Sequence, residues 1–253
     1  MDQEIGFGID IGGSGIKGAP VNLQTGELIA ERLKIATPQP STPDAVADVV
    51  AEIVERFKDK AGDDRPVGVT VPAVVKSGVV RTAANIDHSW IGANGQSLLV
   101  EHVGRPVHLV NDADAAGVAE ARYGAARATK GLVFIATLGT GIGTALLYDG
   151  TLVPNSELGH LEIDGYDAEK RAASSIKDKE GLTYEQWAER LQVYFSRVED
   201  LLWPDLIVVG GGVSRKADRF LPLLHLRAPI VAAQLQNSAG IVGAARLAHE
   251  RQL

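Results

Sequence analysis

Apolar residues fall into two kinds of run along this chain. Short apolar blocks occupy positions 5–11, 16–23 and 28–35, with turn residues at 24–27 between the second and third. Blocks of this length bounded by Gly, Asn and Thr predict strands joined by tight turns, here a three-stranded meander. Positions 36–43 are rich in Pro and Thr and read as a loop. Val46, Val49, Val50, Ile53, Val54 and Phe57 then recur at helical spacing and predict a helix over 45–60, with Thr42 as N-cap and Pro43 in the first turn. Strands are expected at 66–71 and 108–110, and a helix at 114–123.

The second half repeats the opening theme. A strand at 132–138, a Gly/Thr turn at 139–143 and a strand at 144–148 lead into the hairpin signal Asp149-Gly150. Helices are expected at 168–177 and 184–201, a buried strand at 206–209 running into Gly210-Gly211-Gly212, and a last helix at 239–251. A strand–glycine turn–strand unit thus occurs twice, at 5–21 and 132–148, which points to two similar α/β domains with a cleft between them. The expected division is a small domain at 1–109, a large domain at 110–241, and a final segment, 242–253, packing back on the small domain.

Gly13, Gly15 and Gly18 satisfy the spacing of a dinucleotide fingerprint, but that fingerprint needs a helix to start at the glycines. Gly18 and Pro20 oppose a helix interior, so the turn joins strand to strand. No Gly-Lys-Ser/Thr triplet makes it a Walker loop either. Glycine still lets main-chain N–H groups point at an anion, Ser14 adds a hydroxyl donor and Lys17 a positive charge. The turn Gly139-Thr140-Gly141 has the same chemistry, and two such loops at matching places favour phosphate over plain hairpins.

Composition narrows the class further. With 253 residues, 45% hydrophobic and 23% charged, the chain can build one large core or two small ones. A formal net charge of -7 provides no global basic surface and argues against nucleic-acid binding. No apolar run approaches a membrane span, and the acidic start MDQEIGFGID lacks a signal pattern, so a cytoplasmic enzyme is expected. The absence of cysteine excludes disulfides, thiolate metal sites and cysteine nucleophiles within the chain.

Asp10-Ile11-Gly12-Gly13-Ser14-Gly15-Ile16-Lys17-Gly18 resembles the first phosphate motif of the ROK family, and Leu138-Gly139-Thr140-Gly141-Ile142-Gly143 resembles its second. Val208-Val209-Gly210-Gly211-Gly212-Val213-Ser214 resembles the adenosine motif, Asn111-Asp112-Ala113-Asp114 the run that carries the catalytic base, and Glu157-Leu158-Gly159-His160 the sugar-binding motif. The resemblance covers nearly the whole chain in family order. It implies a two-domain, actin-like ATPase (ribonuclease H-like) α/β fold of the hexokinase–actin superfamily. It also implies phosphoryl transfer to the 6-hydroxyl of glucose or mannose. Many family members carry a cysteine cluster that binds zinc with the histidine; this chain cannot, and no zinc is expected. The branch without that cluster includes the polyphosphate/ATP-dependent glucokinases of actinobacteria, which the segments 83–90 and 168–172 resemble. Kinases for fructose or N-acylmannosamine, strictly dependent on ATP, are the neighbouring alternative. A sugar sensor would need a DNA-binding module, for which there is no helix-turn-helix pattern.

Residue roles follow. Phosphoryl transfer needs a carboxylate beside the attacking hydroxyl, and Asp112 stands between a strand and a helix where open α/β sheets place ligands. Its bland alternative is a helix N-cap, which Asp114 suits better. Asp10, ahead of an anion loop, would repel phosphate unless a cation intervened, which makes it the Mg2+ partner. Asn85, Asp112, Glu157, His160 and Glu169 are the candidate sugar contacts, with His88 and Trp90 behind them. Gly12, Gly13, Ser14, Gly15, Lys17, Gly139, Thr140 and Gly141 are the phosphate contacts, and Gly210, Gly211 and Gly212 face the nucleoside of ATP. Arg81, Lys170, Arg171 and Lys177 are candidates for a basic track along polyphosphate. Family likeness implies a homodimer.

Overall fold

The computed structural model describes residues 4–61 and 65–251. Residues 1–3, part of the start searched for a signal pattern, and 252–253, the end of the expected last segment, lie outside the described residues. The chain divides into two compact units, Met1–Ala119 with Ser238–Leu253, and Glu120–Asn237. The first change of unit falls inside a helix, later than the strand end expected from the sequence. The return falls at the start of the last helix, not within it.

In the first unit, β1 (Ile5–Gly12), β2 (Gly15–Asn22) and β3 (Leu33–Ile35) are antiparallel neighbours. The third strand is shorter than expected; Leu28 adds only an isolated bridge to Val21. Helix α1 (Pro43–Arg56) has Pro43 in its first turn and Thr42 at the N-cap position, although the Thr42 side chain makes no capping bond. The expected single helix breaks at Phe57, and α2 (Lys58–Ala61) follows. Strand β4 (Val67–Val71) runs parallel to β1, the hairpin β5 (Val75–Lys76) and β6 (Val79–Val80) follows, and α3 (Gly95–Val103) leads to β7 (Val107–Asn111), parallel to β4. Helix α4 (Asp112–Tyr123) starts directly at the end of β7.

Alternation sorts the two faces of β1. Phe7, Ile9 and Ile11 are buried with Val46, Val50 and Ile53 of α1 and with Leu99 of α3. The opposite face is covered by the C-terminal helix Ala239–Glu250, which lies almost on the backbone. A Cβ at Gly8 or Gly68 would lie 1.9 Å from the carbonyl oxygen of Ile241 or Ala244, so only glycine permits this approach.

The second unit repeats the sheet order of the first. Strands β8 (Leu132–Leu138), β9 (Ile142–Tyr148) and β10 (Thr151–Val153) are antiparallel neighbours, while β13 (Leu206–Gly210) and β14 (Ile230–Ala232) add in parallel on the other side of β8. Between them stand the hairpin β11 (Glu162–Ile163) and β12 (Tyr166–Asp167), helices α5 (Glu169–Ala172) and α6 (Ser174–Glu180), and α7 (Tyr184–Leu202). The helix expected over 168–177 is two helices, because Ala173 is extended at ψ 148. A capping box between Thr183 and Gln186 starts α7, whose Trp187, Leu191, Tyr194 and Phe195 fill the core over Phe134, Ile207 and Val209. Among the described residues no helix is long and apolar enough to cross a membrane.

Candidate active site

In the first unit the register of three parallel strands sets the geometry. Asp10 on β1 is level with Thr70 on β4, which is level with Val110 on β7; Asp112 follows two positions on. Asp10, near the carboxyl end of β1, and Asp112, just past the carboxyl end of β7, therefore stand at the same end of the sheet, where the two strands lie two spacings, or about 10 Å, apart. The turn Gly13-Ser14 closes β1 onto β2 at that same end, and both residues are exposed.

Each carboxylate is anchored locally. Thr70 Oγ1 donates to Asp10 Oδ1 at 2.9 Å, and Lys17 Nζ lies 3.5 Å from Asp10 Oδ2. The first turn of the C-terminal helix abuts the same carboxylate, since a Cβ at Gly240 would lie 3.0 Å from Asp10 Oδ1. The positive end of that helix favours anions here. Asp112 Oδ1 accepts from the Ala113 N–H at 2.9 Å, while Asn111 Oδ1 accepts from the Asp114 N–H at 3.0 Å and its amide donates to the Ala73 carbonyl. The capping role expected of Asp114 belongs to Asn111. Asp114 is buried at 2% exposure.

Asn85 is exposed beside the first loop: a Cβ at Gly13 would lie 3.2 Å from its carbonyl oxygen. Thr37, absent from the sequence reading, donates through Oγ1 to the Gly12 carbonyl and braces the turn. His88 is exposed, but Trp90 is fully buried with its indole N–H on the Ser41 carbonyl at 2.9 Å, so Trp90 serves the core and presents no surface to a sugar.

The second unit carries the other motifs. The loop Gly139-Thr140-Gly141 is tied down on its carbonyl side. Ser175 N and Ser174 Oγ donate to the Gly139 carbonyl at 3.0 and 3.1 Å, and Ser175 Oγ donates to that of Thr140 at 2.7 Å. Glu169 Oε2 accepts from the Ile142 N–H at 2.7 Å, so this candidate sugar ligand also braces the candidate phosphate loop with one of its oxygens. Gly210-Gly211-Gly212 follows β13 beside the same loop: a Cβ at Gly211, where φ is 81, would lie 2.2 Å from the Leu138 carbonyl oxygen. Gly212 faces open space.

Glu157 and His160 bracket a short 3-10 turn at Leu158–His160, anchored by Thr144 Oγ1 accepting from the Leu158 N–H at 3.1 Å. Gly159 packs its Cα against β9, where a Cβ would lie 2.0 Å from the Ile142 carbonyl oxygen. His160 Nδ1 is 3.1 Å from Asp167 Oδ2, and Nε2 is 3.9 Å from Glu157 Oε2. Burial pushes the Glu157 carboxyl above its ordinary range. The bond to Asp167 raises the affinity of His160 for a proton, with Glu169 and Glu157 adding to it. Of the proposed basic track, Arg171 stacks on the Tyr166 ring at 3.5 Å, and Lys177 lies over Tyr184 while pairing with Asp178 at 3.2 Å. Lys170 and Arg81 are exposed.

Among the described residues no cluster of three or more His, Cys, Asp or Glu side chains forms a metal cage. A lone hard carboxylate such as Asp10 nevertheless fits Mg2+, which keeps several waters and is completed by donor phosphates.

Two α/β sheets of one order, each with a glycine turn between its first two strands, define a protein of the actin-like ATPase fold, the class that contains the sugar kinases. The chain belongs to the ROK family, whose sequence profile matches residues 6–174. It is 56% identical to a polyphosphate glucokinase of Mycobacterium tuberculosis over 244 residues, 96% of this chain and 91% of that protein. The crystal structure of an inorganic polyphosphate/ATP-glucomannokinase from Arthrobacter sp. strain KM superposes with a TM-score of 0.93 at 51% identity, covering 99% of this chain and 100% of the other. A ROK family glucokinase from Streptomyces griseus shares the fold at 24% identity, with a TM-score of 0.84 and 98% and 100% coverage.

Proposed function

We propose that this chain is a hexokinase-type phosphotransferase that moves a phosphoryl group from polyphosphate or ATP to the 6-hydroxyl of glucose, and of mannose as a second acceptor. The observation that supports it most is the strand register that sets Asp10 and Asp112 at the carboxyl-terminal end of the sheet, the end that also carries the Gly13-Ser14 turn. Kinship with a polyphosphate glucokinase and a glucomannokinase gives the donor and acceptor classes. By family likeness the enzyme works in the cytoplasm as a homodimer.

In this reading Asp112 takes the proton of the sugar O6–H as the O6–P bond forms and the donor P–O bond breaks. Main-chain N–H groups of the Gly12–Gly15 and Gly139–Gly141 turns, with Ser14 and Lys17, bind phosphate oxygens. Lys17 then exchanges its Asp10 contact for phosphate. Asn85, Glu157, His160 and Glu169 are the residues that would supply donors and acceptors to sugar hydroxyls. Asp10 would hold Mg2+, which supplies neutralisation of the phosphate charge. Gly210–Gly212 lie along the nucleoside when ATP is the donor.

The test is a panel of glucose, mannose, fructose and N-acetylmannosamine, each assayed with ATP and with polyphosphate in Mg2+. Glucose, followed by mannose, is expected to be phosphorylated with both donors. Turnover of fructose or N-acetylmannosamine alone, with ATP alone, would replace this reading by that of a different sugar kinase.

A further inference from the structure

Asp167 was not singled out by any motif, yet it joins two of the candidate sugar ligands. Its Oδ2 lies 3.1 Å from His160 Nδ1, and its Oδ1 accepts from the Glu169 N–H at 3.0 Å. Glu169 in turn holds the Ile142 N–H at the phosphate loop. A carboxylate only accepts hydrogen bonds, so the Asp167 contact places a proton on Nδ1 and leaves Nε2 on the Glu157 side, 3.9 Å from its Oε2. The imidazole side chain is half exposed and has no other described hydrogen-bond partner to fix its rotation. The hairpin of β11 and β12 delivers Asp167 to this place, at the end of β12 and immediately ahead of α5.

Resting on the reading of the chain as a sugar kinase, we propose that Asp167 is the positioning residue of the sugar half-site, fixing the ring of His160 with one oxygen and the backbone of Glu169 with the other. It does not touch the sugar. It sets which imidazole nitrogen meets a sugar hydroxyl, and it keeps the Glu169 carboxylate in register with the loop. Its own contacts are with two candidate sugar ligands, and it reaches the glycine loop only through Glu169, so its larger effect falls on acceptor recognition.

The alternative is that Asp167 merely starts α5, as many Asp residues start helices. Ser separates the two, since it accepts a first-turn N–H as well as Asp does but is too short and uncharged to hold His160. In Asp167→Ser the melting temperature should stay near that of the parent. The KM for glucose should rise about tenfold or more, as expected for loss of a hydrogen bond to a charged group, while kcat and the donor KM stay within about threefold. The titration of His160, followed by NMR without sugar and assigned by the signal missing in His160→Gln, should move to lower pH. The groups facing His160 are Glu157, Asp167 and Glu169, so the Glu pair remains to hold part of the effect. A parent-like glucose KM, or an unmoved His160 titration, in a folded Asp167→Ser protein overturns the proposal. If the parent phosphorylates no hexose, the enzymatic reading fails, and the sugar-free titration still decides whether Asp167 holds His160.

Discussion

Gly211 and Leu138 meet backbone to backbone: a Cβ at 211 would lie 2.2 Å from the Leu138 carbonyl oxygen, and the residue sits at a φ of 81. The glycine run at the end of β13 and the end of β8, where the candidate phosphate loop begins, are thus one packed unit. A side chain at Gly211 must deform both, so Gly211→Val should lower the melting temperature and cut activity with both donors alike. Gly212 is the informative probe, because nothing lies near its Cβ position. Gly212→Leu should reduce kcat/KM for ATP by at least about tenfold more than for polyphosphate, which carries no nucleoside. Equal losses at an unchanged melting temperature would place the nucleoside elsewhere.

Asp10 is held by Thr70 through one oxygen and faces Lys17 with the other. Asp10→Asn keeps an acceptor for Thr70 but loses the charge. The Mg2+ concentration giving half-maximal rate should rise about 10–100-fold, the scale seen when a group that supports a metal is neutralised. An unaltered Mg2+ dependence at equal donor concentration would remove Asp10 from this role.

Much of the architecture was legible in the sequence because short, mostly apolar blocks bounded by glycine and turn residues read as buried strands. The blocks at 5–11, 132–138 and 206–209 became the central strands of the two sheets. Helix α3 went unread: Leu98, Leu99, Val100 and Val103 cluster without a clear helical period, although Asn94 caps its start and Gly104 ends it in the left-handed region. The motif residues Asp10, Asp112, Glu157 and His160 were legible as local patterns. Their supports were not. Thr70 reaches Asp10 across 60 positions of sequence, Glu169 reaches Ile142 across 27, and Asp167 acts through a hairpin turn, so only strand register and folding reveal them.

His108 on β7 is 8% exposed, and burial, with Arg251 adding to it, pushes its pKa down to about 4. The unfolded chain takes up this proton near pH 6.5, whereas the folded one resists until about 4. Stability should therefore fall as pH drops through that window and level off below it. In His108→Leu the urea midpoint should decline less between pH 6.5 and 4 than in the parent. Parallel pH curves for the two proteins would show that His108 is not held neutral.

His160 has the opposite sign. Its bond to Asp167 raises its pKa above the ordinary 6.5, so the stability it lends is complete below that value and is lost as pH rises through the raised one. Melting temperatures of parent and His160→Gln should differ most at pH 5 and converge on the alkaline side. A difference that grows with pH would contradict the Asp167–His160 bond.

Asp112 begins α4 at the end of β7, with one carboxylate oxygen on the Ala113 N–H. If its carboxylate takes the sugar proton, Asp112→Asn keeps the shape and that acceptor but cannot carry the proton away. The deciding measurement pairs turnover of glucose with glucose affinity by calorimetry in this one variant. Turnover should fall by at least ~10² with either donor, with the Kd for glucose within about threefold of the parent. Turnover within a few-fold of the parent in the folded variant would contradict the assignment of Asp112 as the base.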